Sequence, residues 1–413
     1  MKTKPFIISK SLIVEAYRLV KARKGAGGVD NVTLEKFDEN LKDNLYKIWN
    51  RLSSGSYFPT AVKAVAIPKK SGGERILGIP TIEDRIAQMV IRLKFEAIVE
   101  PLFHKDSYGY RPRKSALDAI GITRKRCWKY DWVLEFDIKG LFDNIDHELL
   151  MKAVLKHTDC KWTILYIKRW LTADMVMPNG ERIKRNCGTP QGGVISPILA
   201  NLFLHYVFDK WLEVYYPDIE WCRYADDGLL HCKTLKQAEF FMDILRKRFK
   251  ECGLEMHPEK TMIAYCKDVD RTKNYPNTSF DFLGYTFRSR GAKNKYGKLF
   301  TSFLPGVSKN ALKVMIAETR RRGFRNSTEV KLLDISRMFN ATLRGWFNYY
   351  GKYYPSALAP LWRHFNRTLV AWALRKYKKI KGVTRGAMFI EKVAQANPKL
   401  FVHWDRGIMG AFA

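Results

Sequence analysis

Two adjacent carboxylates in the middle of the chain, Asp226 and Asp227, constrain the fold more than any other feature of the sequence. Strand-favouring residues flank them from 220 to 232, and the Asp-Gly pair at 227–228 is a strong turn signal for a hairpin. We therefore expect two short antiparallel strands with both acids at the tip. Neighbouring carboxylates repel each other unless a cation neutralises them, and their hard oxygens suit Mg²⁺. Taken alone, the segment is equally compatible with a solvated acidic turn.

A third acid, Asp137, lies in an otherwise apolar strand predicted at 132–138. A solitary buried carboxylate is costly, so this residue needs a hydrogen-bonded partner or a metal ion. The metal interpretation is favoured, because Asp137 would add a third carboxylate to the pair at 226–227. Residues 131–287 indicate a strand, helices, a hairpin, a helix and two more strands in that order. This order predicts an antiparallel α+β palm with three acids on neighbouring strands.

The chain is strongly basic, because 73 Lys and Arg against 41 Asp and Glu give a net charge of +32. So many positive charges repel one another. Such an excess is typical of proteins that bind a polyanion, usually nucleic acid. The region from Pro305 onwards is predicted to be nearly all helical and holds 21 bases against 5 acids. No apolar run is long enough, at about 18 residues, to indicate a membrane span. Seven Cys without a Cys-x-x-Cys pair favour reduced thiols in a cytosolic setting.

A basic hairpin is predicted early in the chain, with strands at 62–68 and 76–80. Its tip carries Lys69, Lys70 and Arg75. Such a tip can fold over a triphosphate, although a solvated basic turn has the same composition.

Two loops carry residue types that suit contacts with a nucleotide or a nucleic-acid backbone. The segment 106–115 is polar, aromatic and basic, and it includes Arg111. The segment 188–197 is rich in Gly and Pro, and it places Gln191 where it can touch a base or a sugar edge. A helix-capping loop explains the end of the second segment but not the whole of it.

Taken in order, these segments resemble the motif blocks of a group II intron-encoded reverse transcriptase/maturase. The resemblance covers essentially the whole chain. The polymerase blocks are Arg75-Ile76-Leu77-Gly78-Ile79-Pro80-Thr81, Ser107-Tyr108-Gly109-Tyr110-Arg111-Pro112, Phe136-Asp137-Ile138 through Phe142, Thr189-Pro190-Gln191-Gly192-Gly193, Tyr224-Ala225-Asp226-Asp227, His257-Pro258-Glu259-Lys260-Thr261 and Phe282-Leu283-Gly284-Tyr285. The segment from Arg344 to Tyr350 is similar to the maturase thumb, called domain X.

The resemblance implies an α+β, right-hand polymerase fold. We expect fingers with an N-terminal extension at 1–130 and an antiparallel palm with interleaved fingers segments at 131–304. An all-helical thumb (domain X) is expected at 305–390, followed by a C-terminal tail at 391–413.

The resemblance also implies the roles of individual residues. Asp137, Asp226 and Asp227, with the Ile138 carbonyl, are expected to hold two Mg²⁺ ions, for which Mn²⁺ can substitute. The residues expected to bind the nucleotide are Lys69, Arg75, Ile138, Phe142, Gln191 and Lys260. Phe142 matches the family position that packs under the sugar and rejects a 2′-hydroxyl. Gly284 matches the primer grip. The residues expected to bind RNA are Arg111, Arg320, Arg321, Arg322, Arg344, Lys376, Lys378 and Lys379.

The implied function is RNA-directed DNA synthesis combined with binding of the protein's own intron RNA, assistance to its splicing and target-primed reverse transcription. The partners would be group II intron RNA, an RNA template with a DNA primer, dNTPs and target DNA, in a bacterial cytoplasm or nucleoid. Many relatives carry a C-terminal Cys/His endonuclease. We expect it to be absent, because no Cys follows Cys266. Priming would then come from elsewhere, such as a nascent strand at a replication fork.

Two alternatives stay open. One is an RNA-binding splicing factor with a vestigial polymerase, against which the intact set of three Asp argues. The other is a domesticated reverse transcriptase in phage defence, CRISPR spacer acquisition or DNA repair.

Overall fold

The computed structural model describes residues 4–68 and 73–409, which form two compact units. The first unit runs up to Ala119 and resumes from Leu134 to Met262, and the second comprises Ile120–Val133 and the chain from Ile263 onwards. The helices are α1 (Lys10–Arg23), α2 (Leu34–Glu39), α3 (Leu41–Ser54), α4 (Ile82–Val99), α5 (Ala116–Cys127), α6 (Leu141–Asn144), α7 (His147–His157), α8 (Lys161–Leu171), α9 (Ser196–Leu204), α10 (Lys210–Tyr215), α11 (Leu235–Glu251), α12 (Lys309–Arg321), α13 (Leu332–Tyr350), α14 (Ala359–Lys376) and α15 (Val383–Ala396). The strands are β1 (Val62–Pro68), β2 (Glu74–Ile79), β3 (Trp132–Asp137), β4 (Met175–Val176), β5 (Arg182–Ile183), β6 (Glu220–Tyr224), β7 (Asp227–Cys232), β8 (Met262–Tyr265), β9 (Ser279–Phe282), β10 (Tyr285–Lys293) and β11 (Leu299–Val307).

Two sheets organise the first unit. In one, β1 pairs antiparallel with β2, from Lys63↔Ile79 to Pro68↔Glu74, and the sheet order is β2–β1–β4–β5. This pairing confirms the predicted basic hairpin. In the other, β7 lies between β6 and β3, and β6 pairs antiparallel with β7. The second sheet confirms that the acidic segment is a hairpin next to the strand that carries Asp137.

Helix α4 is anchored at its first turn. The Thr81 side chain accepts a hydrogen bond from the Asp84 amide at 3.2 Å, so Thr81 is the N-cap of α4. The buried Asp84 carboxylate also accepts from the Tyr57 hydroxyl at 2.5 Å and from the Trp170 indole at 3.3 Å. Because these donors lie in the segment before β1 and in α8, this one carboxylate ties three parts of the unit together.

The second unit combines a three-stranded sheet, in the order β11–β10–β9, with helices α12 to α15. The helices share a core that includes Phe339, Trp362 and Trp372. The boundary predicted at 390–391 falls inside α15, and Phe401 and Trp404 are fully buried in the helical core. Residues 391–409 therefore pack as part of the helical region and are not a separate tail.

Candidate functional site

The three acidic residues meet where β3 ends and the β6–β7 hairpin turns. Tyr224 pairs with Asp227, so the two-residue turn is Ala225-Asp226, and Ala225 adopts a left-handed φ of 58°. The Ile138 amide, directly after Asp137, donates to the Asp226 carbonyl at 3.1 Å. This hydrogen bond joins the end of β3 to the turn and places the three carboxylates at one end of the sheet.

The predicted position of this turn was wrong, because Asp227 and Gly228 both lie in β7 and do not form the turn. The glycine serves a different purpose. A Cβ atom at Gly228 would lie closer than 3.0 Å to the Phe136 ring, which packs against the strand from β3. Close packing against Phe136 therefore explains the glycine at 228. The left-handed position in the turn is occupied by Ala225, which is not a glycine.

Burial and mutual repulsion make the carboxyl groups of Asp226 and Asp227 hard to ionise. Burial, reinforced by the Asp226 charge and by Asp137, raises the pKa of Asp227 to about 8. Burial also raises the pKa of Asp226. The Lys260 ammonium opposes both shifts, and it donates to Asp137 Oδ2 at 3.0 Å. The predicted association of Lys260 with the site is therefore present, although its partner in this structure is a carboxylate.

A divalent cation fits this donor set by its chemistry. Hard carboxylate oxygens that repel each other in a buried place are stabilised in their charged form by a cation. Within residues 4–68 and 73–409, however, no three His, Cys, Asp or Glu side chains stand in a geometry that could hold a metal ion. The fit therefore rests on the types of donor atom present and on their electrostatics.

The loop that carries Gln191 is held against α6 and β2. The Thr189 amide donates to the Phe142 carbonyl at 2.6 Å, and the Gly78 amide donates to the Gln191 carbonyl at 3.1 Å. The Gln191 side chain donates to Asp143 Oδ2 at 3.1 Å. The structure therefore brings Phe142 and Gln191 together beside β2.

Strand β2 carries Arg75, which pairs with Ile67 in β1 close to the tip of the basic hairpin. Lys69 lies outside the described residues. The ring of Tyr110, which sequence reasoning passed over, makes an edge contact with Phe142 at 6.0 Å. Its φ of 60° and its contact with Phe142 were visible only in the structure.

Arg223 is the functional residue that the sequence reasoning missed. Its guanidinium is fully buried one residue before Tyr224, and all five of its N–H donors are used. Nε and Nη2 donate to the two Asp209 oxygens at 2.8 and 2.7 Å, and Nη1 donates to the Ala225 carbonyl at 3.0 Å. The remaining bonds run to Ser107 Oγ at 2.9 Å and to Asn201 Oδ1 at 3.3 Å.

This guanidinium joins the Ala225-Asp226 turn to Ser107 in the 106–115 loop. The sequence signal for this residue was an Arg between strand-forming residues. A charge buried in a strand needs partners, so Arg223 predicts an acidic residue nearby in the fold. Asp209, in the apolar stretch between α9 and α10, carried the matching signal.

Two residues predicted to bind RNA have internal partners instead. The Arg111 side chain is 7% exposed, pairs with Glu100 at 2.9 Å and donates to the carbonyls of His104 and Ser107. The Lys376 ammonium donates to the carbonyls of Thr328 and Val330. These contacts hold the Arg111 guanidinium inside the protein and argue against its predicted RNA contact. The RNA-binding role of Lys376 stays a prediction.

The other predicted RNA-binding residues lie on the surface of the helical region. Arg320, Arg344, Lys378 and Lys379 are exposed. Arg321 is exposed but bonds to Glu318. Arg322 is half-buried, bonds to Glu318 and donates to the Met338 carbonyl. The RNA-binding roles of these six residues stay predictions.

Gly284, the residue that matches the primer grip, lies in the two-residue turn between β9 and β10, where Phe282 pairs with Tyr285. Its φ of 80° is in the left-handed region, which favours glycine. A Cβ atom there would lie 3.1 Å from the Tyr350 hydroxyl. The primer-grip role stays a prediction.

Comparison with known proteins agrees with this architecture. A family described as reverse transcriptase (RNA-dependent DNA polymerase) matches residues 67–287, more than half of the chain, and the group II intron, maturase-specific domain matches 312–388. The chain is 27% identical to group II intron-encoded protein LtrA of Lactococcus lactis, over 84% of this chain and 69% of the relative. It is 32% identical to protein YkfC of Escherichia coli K12, over 70% of this chain and 82% of the relative. A structure of Candida albicans telomerase is 13% identical with a TM-score of 0.46, covering 91% of this chain and 68% of that one.

The fold and the family matches define a reverse transcriptase palm followed by a maturase domain, which confirms the predicted fold class. The chain belongs to the group II intron reverse transcriptase/maturase family. Among the described residues, no helix is both long and apolar enough to cross a membrane.

Proposed function

We propose that the protein is an RNA-directed DNA polymerase that also binds its own group II intron RNA, assists splicing and supports intron mobility by target-primed reverse transcription. The observation that carries the proposal is the meeting of Asp137, Asp226 and Asp227 at the joined ends of β3 and the β6–β7 hairpin. Membership of the family supports it.

Polymerisation requires a primer 3′-hydroxyl to be activated and a pyrophosphate leaving group to be stabilised. Two Mg²⁺ ions, or Mn²⁺ in their place, would supply both effects when bound. Asp137, Asp226 and Asp227, with the Ile138 carbonyl, would hold them. Displacement of Lys260 from Asp137 would release that carboxylate for the cation and leave an ammonium beside the site.

The neighbouring residues would bind and orient the nucleotide. Phe142, on the short helix after Asp137, would pack under the sugar and exclude a 2′-hydroxyl. Gln191 would line the pocket, and Arg75 with Lys69 would bind the triphosphate by charge. Lys260 would approach the pyrophosphate once it leaves Asp137.

Nucleic-acid binding follows from the charge of the chain. The region from Pro305 carries 16 more bases than acids, and its exposed cations suit the phosphates of intron RNA. An RNA template with a DNA primer, dNTPs and target DNA would be the further partners. The bacterial cytoplasm, with the nucleoid, is the proposed location.

Primer extension on an RNA template tests the polymerase. We expect DNA product from dNTPs with Mg²⁺, much less from rNTPs, and none after chelation with EDTA. Tight RNA binding without product across primers and metals would refute it and favour a splicing factor with a vestigial polymerase.

Splicing of the cognate intron, with and without the protein, tests the maturase role. The DNA around the coding sequence identifies the substrate, since an intron-encoded protein lies within a structured group II intron. A chain that makes DNA but has no intron around its gene would instead be a domesticated reverse transcriptase in defence, spacer acquisition or repair.

A further inference from the structure

A two-stranded ribbon in the second unit extends well past the core beneath it. Strands β10 and β11 pair from Tyr285↔Val307 to Lys293↔Leu299. At its base, Phe287 and Phe303 are fully buried, and their side chains contact Phe280. At the far end, Tyr296 is 81% exposed and Leu299 is 76% exposed, so both side chains are available to a partner.

The ribbon carries charge of one sign only. Residues 285–307 include five bases, and no Asp or Glu occurs anywhere from 282 to 317. The guanidinium of Arg290 turns inward and donates to the carbonyls of Thr286 and Leu304. Lys293, Lys295 and Lys298 are exposed and form no ion pair with any residue in 4–68 or 73–409. The tip therefore offers three cations that lack protein counter-charges.

The tip is also preformed. The Asn294 side chain accepts hydrogen bonds from the amides of Tyr296 at 3.0 Å and Lys298 at 2.9 Å. Gly297, with a φ of 86°, allows the chain to reverse there. The Lys295 ammonium lies 4.8 Å from the centre of the Tyr296 ring. An aromatic ring on an ordered turn loses little conformational entropy when it binds a partner.

We propose that this ribbon tip, residues 293–300, contacts an unpaired segment of RNA. Tyr296 stacks on a base, and Lys293, Lys295 and Lys298 lie along the phosphates on either side. Base faces are open only where the strand is unpaired, so an exposed ring selects loops and single strands over duplex. The choice of RNA as partner rests on the proposed function, and the ribbon adds a surface outside the thumb helices.

Binding of the full-length protein to oligouridine tests the contact. Base–aromatic stacking predicts that Tyr296→Ala weakens binding by about 5- to 100-fold, with Tyr296→Trp close to wild type. Tyr215→Ala removes a tyrosine that is 67% exposed in α10 of the first unit, and it serves as the matched control. Equal affinities for Tyr296→Ala and Tyr215→Ala would overturn the proposal.

The dependence on salt separates stacking from charge. For single strands, each lost phosphate contact lowers the slope of log Kd against log salt by about 0.7. The double variant Lys295→Ala/Lys298→Ala should therefore lower the slope by about 1.4, and Tyr296→Ala should leave it unchanged. An unchanged slope in the double variant would overturn the phosphate contacts.

A fluorescent base analogue in the RNA reports stacking directly. Wild type should quench it and Tyr296→Ala should not, whereas equal quenching would contradict the contact. Primer extension by the same variants separates the two proposals. If the wild-type protein makes DNA but the ribbon tip does not contact RNA, only the ribbon proposal is refuted. If the wild-type protein makes no DNA, the proposed polymerase activity is refuted.

Discussion

Replacing Arg223 with Met should destabilise the first unit by about 3–5 kcal/mol, the usual cost of stranding one partner of a buried ion pair. The stranded partner is the Asp209 carboxylate, whose side chain is 1% exposed. The same change removes the donor to the Ala225 carbonyl, and an unpaired buried carbonyl costs about 1–3 kcal/mol more if no water replaces it. Denaturant unfolding of the full-length protein measures the total.

A double-mutant cycle shows whether the pair is responsible. The variant Arg223→Met/Asp209→Leu buries no charge at this place, so it should be more stable than Arg223→Met alone. It should still extend primers poorly at unchanged RNA affinity, because Ala225 and Ser107 remain without the guanidinium that holds the turn. Arg246→Met breaks a surface pair with Asp243 at 3.9 Å and should cost less than about 1 kcal/mol. Destabilisation of the double variant by the full sum of its single variants would refute the reasoning.

Three further predictions follow from other places in the fold. Gly228→Ala should cost about 1–3 kcal/mol by overpacking against Phe136, and a variant with wild-type unfolding and primer extension would contradict that close approach. Phe142→Ala should raise rNTP incorporation relative to dNTP in primer extension, and an unchanged ratio would exclude this ring as the selector. Burial lowers the pKa of His403 to about 3 from 6.5, so the folded state binds fewer protons than the unfolded state between these values. Stability should therefore fall by about 1.4 kcal/mol per unit as the pH drops below about 6.5, and denaturation of His403→Phe should show a shallower fall than wild type.

The sequence predicted those parts of the site that depend on local pattern. Strand-favouring residues on both sides placed Asp226 and Asp227 on a hairpin, and an acid in an otherwise apolar strand indicated Asp137. These features depend on residues only a few positions apart, so no tertiary information was needed.

The errors have a common physical origin, because they depend on residues that are distant in sequence. The Asp-Gly pair was assigned to the turn since nothing local shows that the Phe136 ring needs the space at Gly228. Arg111 was assigned to RNA since its acceptors, Glu100 and two carbonyls, become neighbours only on folding. Arg223 was overlooked although a buried Arg implies a partner, because that partner lies 14 residues earlier.

Primer extension on an RNA template by Asp226→Asn, beside wild type and Asp159→Asn, tests the central claim most directly. Asp159 is an exposed acid of the first unit outside the site, so its variant controls for loss of one negative charge. Loss of cation binding removes several kcal/mol of transition-state stabilisation, so Asp226→Asn should reduce DNA synthesis at least about 100-fold. RNA affinity and the synthesis by Asp159→Asn should stay at wild-type values. Undiminished synthesis by Asp226→Asn, or equal losses in both variants, would contradict the assignment of this hairpin as the polymerase centre.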